Sequence, residues 1–244
     1  MASHLNRPAF YALERGGWRD YVTLLHLPYT AWHLSYVVIG AGLAATFSVN
    51  RLLATLAAFL LAVGVGAHAL DELNGRPLET RIPRRVLWLL AATSIAGAVA
   101  IGIGASILIS PWLACFVVVG AFLVLAYNLE LLDGAFHSDV WFALAWGALP
   151  VLCASFTMDE RLRLPAVLGA IFAFALSLTQ RRLSTQVRDI RRRVVSVEGT
   201  ATRSDGHVEP ITRDELARPG ERALKTLTLA VILLAGSLAA ASLS

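Results

Sequence analysis

Long apolar runs separated by short polar ones organise this chain. Windows without a charged residue fall at 31–47, 52–70, 86–107, 109–129, 140–157, 164–180 and 226–243. A helix crosses a hydrocarbon core about 30 Å thick with roughly 20 apolar residues, so each window predicts a spanning helix. No charge interrupts 86–129, but Ser110-Pro111 breaks that run into two crossings. The predicted fold class is all-α, a polytopic transmembrane helix bundle of about seven helices. Ahead of it, residues 17–30 mix Trp18, Tyr21, Leu24, Leu25, Leu27 and Tyr29 with Arg19, Asp20 and His26. This mixture predicts an interfacial helix ended near Pro28.

Composition excludes an ordinary soluble domain. Of 244 residues, 57% are hydrophobic and 16% charged, and the mean hydropathy is +0.64. Soluble domains carry about a quarter charged residues. Charge placement then orients the bundle. With the N-terminus in the cytoplasm, every Lys and Arg except Arg51, Arg161 and Arg163 falls on the cytoplasmic side. Positive loops stay inside, so the expectation is an integral membrane protein with N-terminus and motif loops cytoplasmic. The sequence pI near 9.5 therefore reports orientation and no nucleic-acid partner. Arg7, Glu14, Arg15, Arg19 and Asp20 precede the first apolar run, which argues against a cleavable signal peptide. Cys115 and Cys153 both fall within predicted spans, where small buried thiols are expected.

Four segments follow. Residues 1–30 form a cytoplasmic N-terminal segment with the interfacial helix; 31–193 form the bundle, with cytoplasmic motif loops at 68–85 and 181–193. Residues 194–222 are a cytoplasmic insertion, and 223–244 the last spanning helix. In the insertion, Val195, Val197 and Gly199 alternate with polar residues, and Ser204-Asp205-Gly206 precedes His207-Val208-Glu209-Pro210-Ile211. A small β-hairpin is predicted, acting as a lid or a partner contact, with His207 on its surface. Thr212 and Glu215 match a capping box that opens a short helix, interrupted by Pro219-Gly220.

Ionisable groups at a membrane edge are costly, so their clusters point to function. The first runs from His68 to Pro83. His68, Asp71 and Glu72, at i, i+3 and i+4, share one helix face that can hold a divalent cation, with carboxylate oxygens suiting Mg²⁺. The same residues also serve simply to end and solvate a helix. The second runs from Gln180 to Arg193, with six arginines of bidentate phosphate-binding geometry and Asp189 as its carboxylate. A contact to anionic lipid explains such a run equally well.

At these clusters the chain resembles the UbiA family of intramembrane prenyltransferases. That family carries an NDxxDxxxD loop followed by an RPxRPIP-like stretch between its second and third helices. Here Asp71 stands at the middle aspartate, and Gly75-Arg76-Pro77 with Arg81-Ile82-Pro83 is similar to the trailing stretch. The second family loop reads RDxxxD with a downstream GKxTL; Arg188-Asp189-Ile190 and Lys225-Thr226-Leu227 match it in order. Tyr21, Leu24, Pro28 and Gly40, then Tyr127-Asn128, Gly134 and 146–150, add to the likeness. There are departures. His68 replaces the first aspartate, Gly75 lies near the last, and Arg193 stands at the second loop's further aspartate. The family has nine helices against seven here, so a homo-oligomer is one way to complete the bundle.

The resemblance implies transfer of an isoprenoid from a prenyl diphosphate to an aromatic or other lipid-soluble acceptor among membrane lipids. It implies Asp71 and Asp189 as catalytic residues, and Mg²⁺ held by His68, Asp71, Glu72 and Asp189. Arg76, Arg81, Arg188 and Lys225 would bind the diphosphate beside Tyr127 and Asn128, with arginine partly replacing a second Mg²⁺. The missing aspartates and the insertion also fit a catalytically inactive scaffold that binds a lipid, a quinone-like molecule or a partner protein. A retinal protein is disfavoured, since the lone lysine, Lys225, lies at the start of the last span. No span carries the mid-membrane charge that ion-coupled transport usually requires.

Overall fold

A computed structural model describes residues 9–244 as a helix bundle with one small hairpin. Arg7 and the beginning of the 1–30 segment lie outside the described residues. A short helix α1 (Trp18–Leu24) precedes α2 (Leu27–Gly42), α3 (Val49–Leu73), α4 (Arg84–Leu108) and α5 (Leu113–Asn128). Then come α6 (Asp139–Asp159), α7 (Leu164–Arg193), the hairpin β1 (Thr200–Thr202) and β2 (Val208–Pro210), and α8 (Arg213–Leu243). Helices α3, α4, α6, α7 and α8 are long and apolar enough to cross a membrane. The protein is an integral membrane protein. Helices α2 and α5 have 16 residues each, about 24 Å at 1.5 Å per residue.

The helices alternate in direction, which separates two ends. At one, Asp159 accepts hydrogen bonds from the Ala45 and Thr46 amides, each at 2.9 Å, and pairs with Arg163. Arg51 donates to the carbonyls of Thr157 and Met158. At the other, arginine-rich end, Asp20 accepts from the Gly16 and Arg81 amides, and Arg191 pairs with Asp214 and Glu221 across α7 and α8.

Three sequence expectations need correction. Pro28 does not end the interfacial helix; it lies in the first turn of α2, where its missing N–H costs nothing. The chain turns earlier, at His26, whose φ is +45°. The sixth span continues four turns past Gln180, and Pro219 does not interrupt the helix opened by Thr212 and Glu215. The capping box is formed, and Ala217, Glu221 and Leu224 bury a continuous face that outweighs one lost hydrogen bond. Gly220 is a point of close approach: a Cβ there would lie 2.7 Å from Val187 Cγ2. The hairpin is antiparallel, pairing Ala201 with Glu209, and turns at Gly206 with φ +83°.

Around α2 the core is dense. Trp32, Tyr36 and Ile39 pack on Val151 of α6, Ala170 and Ala173 of α7, and Val231 and Ala235 of α8. Trp32 Nε1 donates to Tyr36 Oη at 2.6 Å, as does Ser177 Oγ at 3.2 Å, so the buried phenol is satisfied. Small residues admit the helices to this distance. Any Cβ at Gly40 would collide with the backbone of Val151, its Cα being 2.8 Å away. Gly40→Ala is expected to lower the melting temperature in detergent by several degrees, from overpacking of about 1–3 kcal/mol; an unchanged melt contradicts this contact.

Candidate functional site

The site is built around the end of α3. Here Glu72, 1% exposed, accepts from the Leu78 amide at 3.0 Å, the Thr80 amide at 2.8 Å and Thr80 Oγ1 at 2.8 Å. These bonds fold residues 74–82 back over the helix end. Arg76 reinforces the loop by donating to the carbonyls of Thr80 at 2.6 Å and Ile82 at 3.0 Å. Successive helical residues point about 100° apart, so with Glu72 turned to the loop, Asp71 faces the bundle interior.

There Asp71 lines a cavity of about 230 Å³ at the arginine-rich end. Arg181, Ser184, Arg188 and Arg192 of α7 line it opposite, a spacing that keeps one helix face. Asp71 lies in Coulombic range of Arg188 and Arg192 and has no hydrogen-bond partner among the described residues. Arg181 sits 5.3 Å from the Phe142 ring centroid and pairs with Asp139 at 3.3 Å. The arginine run thus divides its work: 181 and 188 face inward, the exposed Arg192 also lines the cavity, Arg191 ties α7 to α8, and Arg182 and Arg193 are exposed outside it.

Four histidines line the same cavity. His33 Nδ1 lies 3.0 Å from the Trp146 carbonyl, His68 Nδ1 3.1 Å from that of Gly64, and His137 Nδ1 3.0 Å from that of Tyr127. A carbonyl only accepts, so in each ring Nδ1 carries a proton, and a neutral ring is left with Nε2 as an acceptor. Gly64 and Trp146 belong to π-helical turns, Leu60–Ala67 in α3 and Leu144–Ala148 in α6. His26 stacks on His68 with centroids 4.0 Å apart and hydrogen-bonds Tyr11 Oη at 3.0 Å. Burial, and then His68, push His26 well below its ordinary pKa, so its ring stays neutral; burial holds the Tyr11 phenol above its ordinary range. Two further atoms stand out. Tyr127 Oη and Gln180 Oε1 line the cavity, are buried, and have no partner among the described residues.

A second, apolar pocket of about 130 Å³ adjoins this one, and Trp146 lines both. It runs between α3, α4, α5 and α6 past Ala58, Ala62, Gly102 and Gly120 toward Arg51 and Thr157.

The structure brings together His68, Asp71, Arg188, Tyr127 and Asn128. It does not bring in the others. Glu72 is spent on the loop, Arg76 is engaged with loop carbonyls, and Arg81 is exposed. Asp189 is exposed on the outer face of α7, 3.4 Å from Arg193. Lys225 is exposed, its Nζ 5.1 Å from the Phe10 ring centroid. Among the described residues no group of three His, Cys, Asp or Glu is disposed to hold a metal ion. The cavity offers one carboxylate facing guanidinium groups, and this donor set does not fit Mg²⁺, which wants octahedral oxygen ligation. Sequence reasoning missed Tyr11, His26, His33, His137, Gln180 and Arg181 as cavity residues. The one available signal was four scattered histidines in a chain otherwise poor in polar groups.

No protein-family model and no curated protein matches the chain. Among solved structures it is similar to the apo structure of a UbiA homolog from Aeropyrum pernix K1. The identity is 17%, the TM-score 0.46, and the match covers 88% of this chain and 84% of that one.

Glu72 distinguishes a structural carboxylate from a metal ligand. Glu72→Ala strands three donors, an expected cost of about 1–3 kcal/mol. The variant should melt earlier and be cut by trypsin after Arg81, and added Mg²⁺ should leave the wild-type melt unmoved. Wild-type melting and protease resistance in the variant would contradict the assignment.

Proposed function

We propose that the protein binds a prenyl phosphate ester in this pair of pockets and transfers its isoprenoid to an aromatic acceptor. The observation that carries the reading is the shared wall at Trp146, which lines both a cationic cavity and an apolar pocket. An amphiphile with an anionic head and a hydrocarbon tail has that division. The motif resemblance at Asp71 and Arg188 points the same way. From the distribution of arginine, the head-group cavity faces the cytoplasm.

In this reading Arg188 and Arg192 bind the head-group oxygens, and Arg181 closes the third side. The C–O bond to the diphosphate breaks, and its electron pair leaves with the phosphate oxygen. Guanidinium groups already in place stabilise the departing charge without reorganising. The allylic cation that remains lies against the faces of Tyr127, Phe142 and Trp146. A carbon of the acceptor ring forms the new C–C bond and loses its proton to Asp71. The Nε2 atoms of His33 and His68 suit an acceptor hydroxyl, which must donate to something in a dry site. Tyr127 Oη and Gln180 Oε1 gain partners when the cavity is filled.

A second reading is favoured by one specific observation, the absence of Glu72 and Asp189 from the cavity. With a single carboxylate, the site suits binding alone, of an anionic lipid that is held and not converted.

Diphosphate release from radiolabelled farnesyl diphosphate, with phenolic and quinol acceptors supplied in detergent, separates the two. Transfer predicts release and a prenylated product, with kcat reduced about 100-fold or more in Asp71→Asn. Binding without release in the wild-type protein would sink the transferase reading and leave the binding one.

A further inference from the structure

We infer that the head-group cavity takes its phosphate ester by guanidinium alone, with no divalent cation as intermediary, and that Asp71 contributes nothing to that binding. This rests on the amphiphile reading above and concerns how the head is held.

Charge bookkeeping carries the argument. Arg181 and Arg188, with Arg192 at an exposed position, line the cavity against one carboxylate, Asp71, so cations outnumber anions in the lining. Asp139, outside the lining, offsets part of Arg181. A lining of that sign is complementary to an anionic head. A divalent cation does the opposite. It would add like charge to a site that already repels it, and in low dielectric that repulsion is strong. Nor do ligands exist to offset the repulsion, since Glu72 has its three hydrogen bonds in the loop and Asp189 lies outside.

Geometry agrees with charge. Arg188 and Arg192 are one helical turn apart on the face that Arg181 and Ser184 share, so the cations form a stripe along α7 and not a ring around a point. A stripe suits the elongated oxygens of a phosphate ester, with each planar fork taking two of them. Gln180 and Tyr127, both more than nine-tenths buried with an unpartnered polar atom, mark the inner end of that stripe as a place that a ligand completes. Tyr127 Oη can donate to a phosphate oxygen. Asp71 sits among these groups as the one anion, and toward an anionic head it is repulsive.

Binding of tritiated farnesyl diphosphate to the full chain in detergent micelles, measured once in EDTA and once in MgCl2, tests this. Affinity in EDTA should equal or exceed that in MgCl2. Asp71→Asn should bind as tightly as the wild type or more tightly, whereas Arg188→Gln should bind about tenfold more weakly, the loss of a charge-assisted contact. Farnesyl monophosphate and inorganic diphosphate, run as competitors, tell whether the second phosphate and the tail each contribute. Binding that requires Mg²⁺ and is lost in Asp71→Asn overturns the inference while leaving the amphiphile reading intact. Binding under neither condition, by a protein that elutes as a single folded species, overturns both.

Discussion

A buried carboxyl group has to keep its hydrogen-bond donors, and at Glu72 this constraint shapes the whole arginine-rich end. Unpaired, such a group costs several kcal/mol in an apolar bundle. Satisfying it requires the amides of Leu78 and Thr80 to come to the helix, which bends residues 74–82 into a cap. Asp20 does the same from the other side through the Arg81 amide, so one carboxylate on α3 and one on α1 hold the loop between them. Because neighbours on a helix diverge by about 100°, fixing Glu72 outward fixes Asp71 inward. The residue that looks like the more conspicuous ligand is therefore scaffolding, and its neighbour is what faces the cavity.

The π-helical turns answer a related demand. A wide turn perturbs the regular hydrogen-bond ladder, and such turns recur at functional sites. Here two of the three carbonyls that hold cavity histidines, Gly64 and Trp146, come from such turns. The rings are locked in one tautomer as a result. Cationic guanidinium groups and neutral acceptor nitrogens then coexist in one space without competing for the same partner.

Sequence made the helices legible wherever a single physical signal dominated. Apolar runs placed all seven, and the Thr212–Glu215 box and the Gly206 turn were read correctly because capping and positive φ are local properties. Local signals failed where tertiary packing overrode them. Pro28 and Pro219 both read as stops, yet one starts a helix and the other is carried through by a buried face. Within the site, Asp71 and Arg188 were found because each belongs to a motif. Asp189 and Lys225 were placed there by the same motifs, and Glu72 by its spacing from His68, but which way a side chain points depends on what its neighbours bond to. His33 and His137 were invisible for a different reason: each is a lone residue in an unremarkable stretch, and a fold alone brings them within reach of one cavity.

The 16-residue length of α5 acts on the lipid as well as on the protein. Val118, Val119, Phe122 and Leu125 put its outer face in contact with acyl chains, so the surrounding monolayers must match a helix about 24 Å long where its neighbour α4 has 25 residues. Hydrophobic mismatch of this kind is relieved by thinning the bilayer locally. Since α5 ends at Tyr127 and Asn128, which line the cavity, such thinning would lie beside it. An amphiphile arriving from the membrane would find the head-group layer already lowered toward the arginines, with less hydrocarbon for its charge to cross.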